Sequence, residues 1–282
     1  MRLLSDKKII DILRCPVCGE RMNVRTDRGA ILACEGARTH CYDFASSGYV
    51  NLCAPTQSGG GDSKQAVRAR SSFLDTGTYE KVALSLADVC ATYSKDGVLL
   101  DAGCGEGYYA SFLADKGFSV IGADLSKFAV DAASKRLARQ GHENFFFTTA
   151  SVFELPVCDG SVDVVTNVFA PCAEMEFSRV LKHSGILAVA SAGERHLWGL
   201  KQAIYDIAHE NDGREDMPEF LEQIDRIRVK YWAHLDSNEH IMNLFSMTPY
   251  YWRTSPHDKA KLEGIDQLDT EIDVIISVFR KK

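Results

Sequence analysis

The chain has no continuous apolar stretch of the roughly 20 residues that a helix needs to cross a bilayer, which excludes a helical membrane span. Its N-terminus, MRLLSDKKIIDILRCPVCG, has neither an unbroken apolar segment nor a small-residue cleavage site. No secretory signal is therefore expected, and the expected location is cytoplasmic. Disulfides persist only in oxidising compartments, so the nine cysteines read as thiols and metal ligands. An excess of positive charge is also missing. The net charge is -7, which argues against a generally basic nucleic-acid binder. That charge is uneven: residues 1–75 carry 11 Lys+Arg and 8 Asp+Glu, the remainder 21 and 31. The N-terminal part alone could hold a polyanion while the rest stays acidic. Internal repeats and long low-complexity tracts are absent too.

What is present suits a soluble globular protein of one large and one small unit: 282 residues, 45% apolar and 25% charged. Residues 1–53 hold closely spaced Cys, His and Gly with little apolar periodicity and read as a small module. Residues 54–78, rich in Gly, Ser and charge, read as a linker. Residues 79–282 alternate strand and helix patterns. Strands are expected at VLLDAG (98–103), SVIGAD (119–124), FFFTTA (145–150), VDVVTNVF (162–169), GILAVASA (185–192) and EIDVIISVF (271–279). Helices are expected at YYASFLADKG, KFAVDAASKRLARQ and AEMEFSRVLKHS, and the charged segment 207–240 reads as helical. Alternating strand and helix implies an α/β fold, a parallel sheet covered on both faces.

DAGCGEG (101–107) follows the first of these strands and opens a helix. Gly103, Gly105 and Gly107 let the backbone turn sharply and approach a ligand closely. Asp124 ends the next strand, about 20 positions on, where a carboxylate accepts hydrogen bonds from ribose hydroxyls. Dinucleotide binding wants G-x-G-x-x-G, and here the third glycine comes one residue early. With Asp101 at its head, the loop resembles the D-x-G-x-G-x-G signature of class I (Rossmann-like) methyltransferases. Glu106 disfavours a pyrophosphate at the helix N-terminus but tolerates a sulfonium cation. The cofactor expected is S-adenosylmethionine. Cys104, inside the loop, reads as a small packing residue.

Cys15-Pro-Val-Cys18 forms a knuckle, and Cys34, His40 and Cys41 follow. Two thiolates plus a second pair make a closed tetrahedral zinc site, structural because no open position is left for water. The spacing leaves His40 and Cys41 both open as the fourth ligand.

Taken in order, CPVC, Cys34 and His40, YDFASSGYVNL (42–52), DSKQAVRARSSFLDTGTY (62–79), DAGCGEGYY, APC (170–172), RHL (195–197) and MTPYYWR (247–253) resemble the ribosomal large-subunit (23S) RNA guanine-N1 methyltransferases over nearly the full length. One branch of that family is linked to housekeeping methylation and another to resistance against macrolides such as tylosin. The resemblance implies zinc ligation by Cys15, Cys18, Cys34 and His40, although the gap before His40 is longer here. It implies cofactor contacts from Tyr79, Gly105, Glu106 and His196, and a homodimer. The reaction implied is methylation of guanine N1 in a hairpin loop, where the base can be splayed out.

From this follow expectations about RNA contact. The zinc module with Lys64, Arg68 and Arg70 would hold the hairpin, and the flipped base would sit near Phe169 and Pro171. No catalytic base is singled out; Asp163 and Glu174 are merely near in sequence. A small-molecule methyltransferase would suit the acidic body but leaves the zinc module without a role. A non-catalytic RNA-binding protein would have no need of an intact glycine loop.

Overall fold

The computed structural model describes residues 3–27, 29–53, 61–212 and 221–282. In chain order the N-terminal part holds α1 (Lys7–Ile10), β1 (Met22–Arg25), β2 (Ile31–Cys34), β3 (Cys41–Asp43) and β4 (Val50–Asn51). Then come α2 (Lys64–Leu74), α3 (Glu80–Tyr93), β5 (Val98–Ala102), α4 (Tyr108–Asp115), β6 (Ser119–Asp124), α5 (Lys127–Arg139), β7 (Phe145–Thr149), β8 (Val162–Val168), α6 (Glu174–Val180) and β9 (Leu181–Ala192). The C-terminal third adds α7 (Trp198–Ile204), β10 (Leu221–Leu235), α8 (Asn238–Ser246), α9 (Tyr250–Arg253), α10 (Pro256–Glu263) and β11 (Leu268–Lys281).

β1, β2 and β3 form a small antiparallel sheet. The main sheet runs β10-β11-β9-β8-β5-β6-β7-β4. Its core, β7-β6-β5-β8-β9, is parallel, and β11 inserts antiparallel beside β9. This is the class I methyltransferase order, as the sequence led one to expect. β5 and β7 are buried at every position, as parallel strands covered on both faces must be. Successive residues serve opposite faces: Leu99, Phe145 and Phe147 pack under α3, α4 and α5, whereas Leu100 and Phe146 join the core on the other side.

That second face is short of helices, because residues 150–161 between β7 and β8 form no helix. The N-terminal residues fill the gap. Ile9, Leu13, Met22, Leu32 and Phe44 share one core with Ile121, Phe146 and α6's Phe177. Backbone bonds tie the layers: Arg14 N donates to Pro156 O (3.0 Å) and Cys158 N to Ile12 O (2.8 Å). β4 pairs with the edge of β7, Val50 opposite Thr148.

The structure corrects three readings. Part of the expected linker, Lys64–Leu74, is a helix, capped by Ser63 accepting from Ala66 N, and it packs on α5 and α8; residues 54–60 of that linker lie outside the described residues. Much of the segment read as helical is instead the 15-residue strand β10. α6 stops at Val180 because Leu181 already pairs with Val162 at the start of β9.

Candidate functional site

Gly103, Gly105 and Gly107 all have positive φ (82°, 53° and 74°), a region that favours glycine. A Cβ on Gly103 would lie 2.6 Å from the Cβ of Ala170, so the loop presses directly on the chain leaving β8. A Cβ on Gly105 would meet the Arg70 guanidinium in ordinary van der Waals contact at 3.9 Å. The loop therefore packs on β8 at Gly103 and lies against Arg70 at Gly105.

Carboxylates ring this loop. Asp101 is buried at the end of β5; its Oδ1 accepts from Thr166 Oγ1 (2.9 Å), while Oδ2 has no partner. Burial pushes its pKa up to about 7. Asp124 accepts from Ser126 N (2.8 Å) and from Gly105 N (3.1 Å), tying the end of β6 to the loop. Burial raises its pKa, and those two N–H donors oppose the rise. Glu106 is buried and accepts from Arg70 Nε at 2.7 Å. Arg70 also pairs with Asp62, whose carbonyl accepts from Ser126 Oγ (2.7 Å). Arg70 was expected to touch RNA; instead, its guanidinium is spent on two carboxylates and straps α2 over the loop.

The remaining expected cofactor residues form a second group. Tyr79 and His196 are both buried, and the Tyr79 hydroxyl lies 3.0 Å from His196 Nε2. Asp273 N donates to His196 Nδ1 (3.2 Å), which assigns the ring proton to Nε2 and makes the Tyr79 oxygen its acceptor. Burial holds the ring neutral, its pKa down at about 4. Phe169, the residue after β8, has φ of 50°, stacks on His196 at 5.5 Å between centroids and meets Tyr79 edge-on. Phe169 precedes Ala170, the residue under Gly103, so the two groups line one continuous site at the carboxyl ends of β5, β6 and β8. Asn167 Nδ2 bridges Ala102 O and Pro171 O (both 3.2 Å) and shapes that floor. Asp163 stands elsewhere, at the other end of β8, accepting from Val98 N and Lys182 Nζ. It is structural. Sequence spacing marks neither Arg70 nor Asn167 as an organiser of the site, because Arg70 meets its carboxylates and Asn167 its carbonyls only through tertiary packing.

Cys15, Cys18, Cys34 and His40 bring one ligand atom each to within 4.8 Å of one another. Cys18 Sγ and Cys34 Sγ are 3.6 Å apart, and His40 Nδ1 is 3.6 Å from Cys15 Sγ and 3.5 Å from Cys34 Sγ. A tetrahedral zinc with Zn–S of about 2.3 Å has S···S edges of about 3.8 Å, so the donors fit such an ion. Cys41 is exposed and outside this group.

A family model described as a methyltransferase domain matches residues 93–246, more than half of the chain. The chain belongs to that family. It is an S-adenosylmethionine-dependent methyltransferase. Its curated relatives include a 23S rRNA (guanine(748)-N(1))-methyltransferase of Streptomyces fradiae, 28% identical over 280 residues, covering 94% of this chain and 96% of that protein. YxjB of Bacillus subtilis, also named for guanine-N1 methylation of 23S rRNA, is 28% identical over 98% of this chain and 100% of its own length. At 98% coverage the Bacillus match takes in the Cys/His cluster as well as the glycine loop.

Proposed function

We propose that this methyltransferase methylates N1 of a guanine in a hairpin loop of large-subunit (23S) ribosomal RNA. One observation carries the reading: the likeness to relatives named for that reaction is end to end, spanning the Cys/His cluster and the glycine loop together. A methyltransferase domain alone would be shared with enzymes of many substrates.

Bound S-adenosylmethionine supplies an electrophilic methyl group. The residues assigned to hold it are Tyr79, Asp101, Gly103, Gly105, Glu106, Gly107, Asp124 and His196. The bare backbone of the glycine loop, the partnerless Oδ2 of Asp101 and the surrounding carboxylates suit a cationic ligand with hydroxyls. Phe169, 45% exposed beside this site, offers an aromatic face to a splayed guanine. His196 is not placed to take the N1 proton, since Nδ1 already accepts from Asp273 and Nε2 carries its own proton toward Tyr79. Its role is to orient the Tyr79 hydroxyl, whose own proton is then free to donate.

Zn2+ on Cys15, Cys18, Cys34 and His40 is proposed as a closed, structural site. A homodimer has a natural seam in β10, an edge strand with no outer partner among the described residues and with Trp232 65% exposed. No helix among the described residues is long and apolar enough to cross a membrane. An rRNA substrate supports a cytoplasmic location.

The test is methyl transfer from labelled S-adenosylmethionine to unmodified large-subunit RNA, followed by nuclease digestion and nucleoside mass analysis. The expected product is 1-methylguanosine at a single site. Cofactor binding without any transfer to RNA would overturn the reading.

A further inference from the structure

A groove of about 590 Å3 lies between α2, α5 and the Ser46–Ser47 turn of the Cys/His module. α2 lines it with Lys64 and Arg68, spaced i, i+4; α5 lines it with Lys135 and Arg139, again i, i+4. All four side chains are exposed. Helices disfavour like charges at that spacing, and here two such pairs face one another in a chain of net charge -7. The one carboxylate among the described residues that line the groove, Asp131, is already engaged: Oδ1 accepts from Ser47 Oγ (2.7 Å) and Oδ2 pairs with Lys135 Nζ (2.6 Å). Lys64, Arg68 and Arg139 have no acidic partner among the described residues. Phe128, 39% exposed, stands on the same stripe of α5, with Lys127 Nζ 5.2 Å from its ring centre.

Unneutralised cations on two facing helices with an exposed ring between them match a nucleic-acid strand: phosphates on the cations, an unstacked base on the ring. We infer that this groove is where the methyltransferase grips the backbone of its RNA substrate, with Phe128 as a stacking platform. The inference rests on the RNA reading above. It also gives α2 two jobs on opposite sides: Lys64 and Arg68 face the groove, while Arg70 straps the glycine loop. Ser47 brings the Cys/His module to the rim, so the RNA would touch both parts of the chain.

The experiment measures binding of the full chain to unmodified large-subunit RNA across a salt series, with S-adenosylmethionine affinity as the check on folding. For Arg68→Glu with Arg139→Glu, affinity at about 100 mM salt is expected to drop tenfold or more, and the slope of log affinity against log salt to flatten by about 1.5. The milder Arg68→Gln with Arg139→Gln should flatten the slope similarly. Phe128→Ala should weaken binding with the slope unchanged. Lys7→Glu with Lys95→Glu alters the net charge equally, at exposed positions outside the groove, and should change affinity less than about threefold. Wild-type binding by the groove variants, or an equal loss in the Lys7/Lys95 control, overturns the groove. A wild-type chain that binds S-adenosylmethionine but not RNA overturns the RNA reading, and the groove with it.

Discussion

His196 and Arg70 show how much a single side chain's role depends on its neighbours. In the sequence one is a histidine after an arginine, the other an arginine in a basic stretch. In the fold His196 is buried and neutral, its pKa near 4 against an ordinary 6.5. The unfolded ring takes up a proton as pH falls through 6.5, while the native ring stays neutral down to about 4. Native stability is therefore fully present above pH 7 and eroded between 6.5 and 4, by up to about 3 kcal/mol. Asp101, raised to about 7, acts in the opposite sense over the same window. The informative quantity is thus a difference: urea unfolding of the wild type and of His196→Gln from pH 4 to 8. The wild type should lose stability relative to the variant on acidification, and parallel profiles would contradict the buried neutral ring.

Among the elements, β10 and α2 depart from their sequence reading. Ile227, Val229, Tyr231, Ala233 and Leu235 alternate with Arg226, Arg228, Lys230, Trp232 and His234, a period-2 pattern that spells an edge strand. Its charge content masked that period. The charges are there because Arg228 and Lys230 pair with Asp273 and Glu271 of neighbouring β11. α2 looked like a linker because its stretch is rich in Ser and charge, yet Val67, Phe73 and Leu74 are buried and Ser63 caps it. Its strap is testable. Arg70→Met would leave Glu106 buried without its cation, a loss of about 3 kcal/mol by comparison with other broken buried pairs. Cofactor affinity and melting temperature should both fall, with Arg70→Lys intermediate because an ammonium cannot span two carboxylates as a guanidinium does. Unchanged cofactor affinity in Arg70→Met would show that the strap does not organise the loop.

For the whole molecule, the N-terminal module is a layer of the main fold. Its own core is too small to stand alone, which is why a metal staple is expected. The structure adds a second anchor, the packing of Ile9, Leu13 and Phe44 on the sheet face that lacks a β7–β8 helix. About one zinc per chain is expected by metal analysis, retained in Cys41→Ser and lost in Cys18→Ser or His40→Ala. Loss of zinc from Cys41→Ser would displace His40 from the ligand set. Because the module has that second anchor, Cys18→Ser should keep measurable cofactor binding while losing transfer to RNA.

Local signals are enough for part of this protein. The glycine loop, the carboxylate after β6, six strands of the main sheet and the Cys-x-x-Cys knuckle could all be read from residues 101–124, the β-branched runs and Cys15–Cys18, because each is set by short-range backbone geometry and spacing. The pairing of elements distant in sequence was decided only by tertiary structure. Packing brings His40 rather than Cys41 to the three thiols, Arg70 onto Glu106, Tyr79 onto His196 across 117 positions, and the N-terminal residues onto the bare face of the sheet. Those contacts follow from which apolar faces must be covered and which buried charges must be paired, and neither demand is visible until the chain is folded.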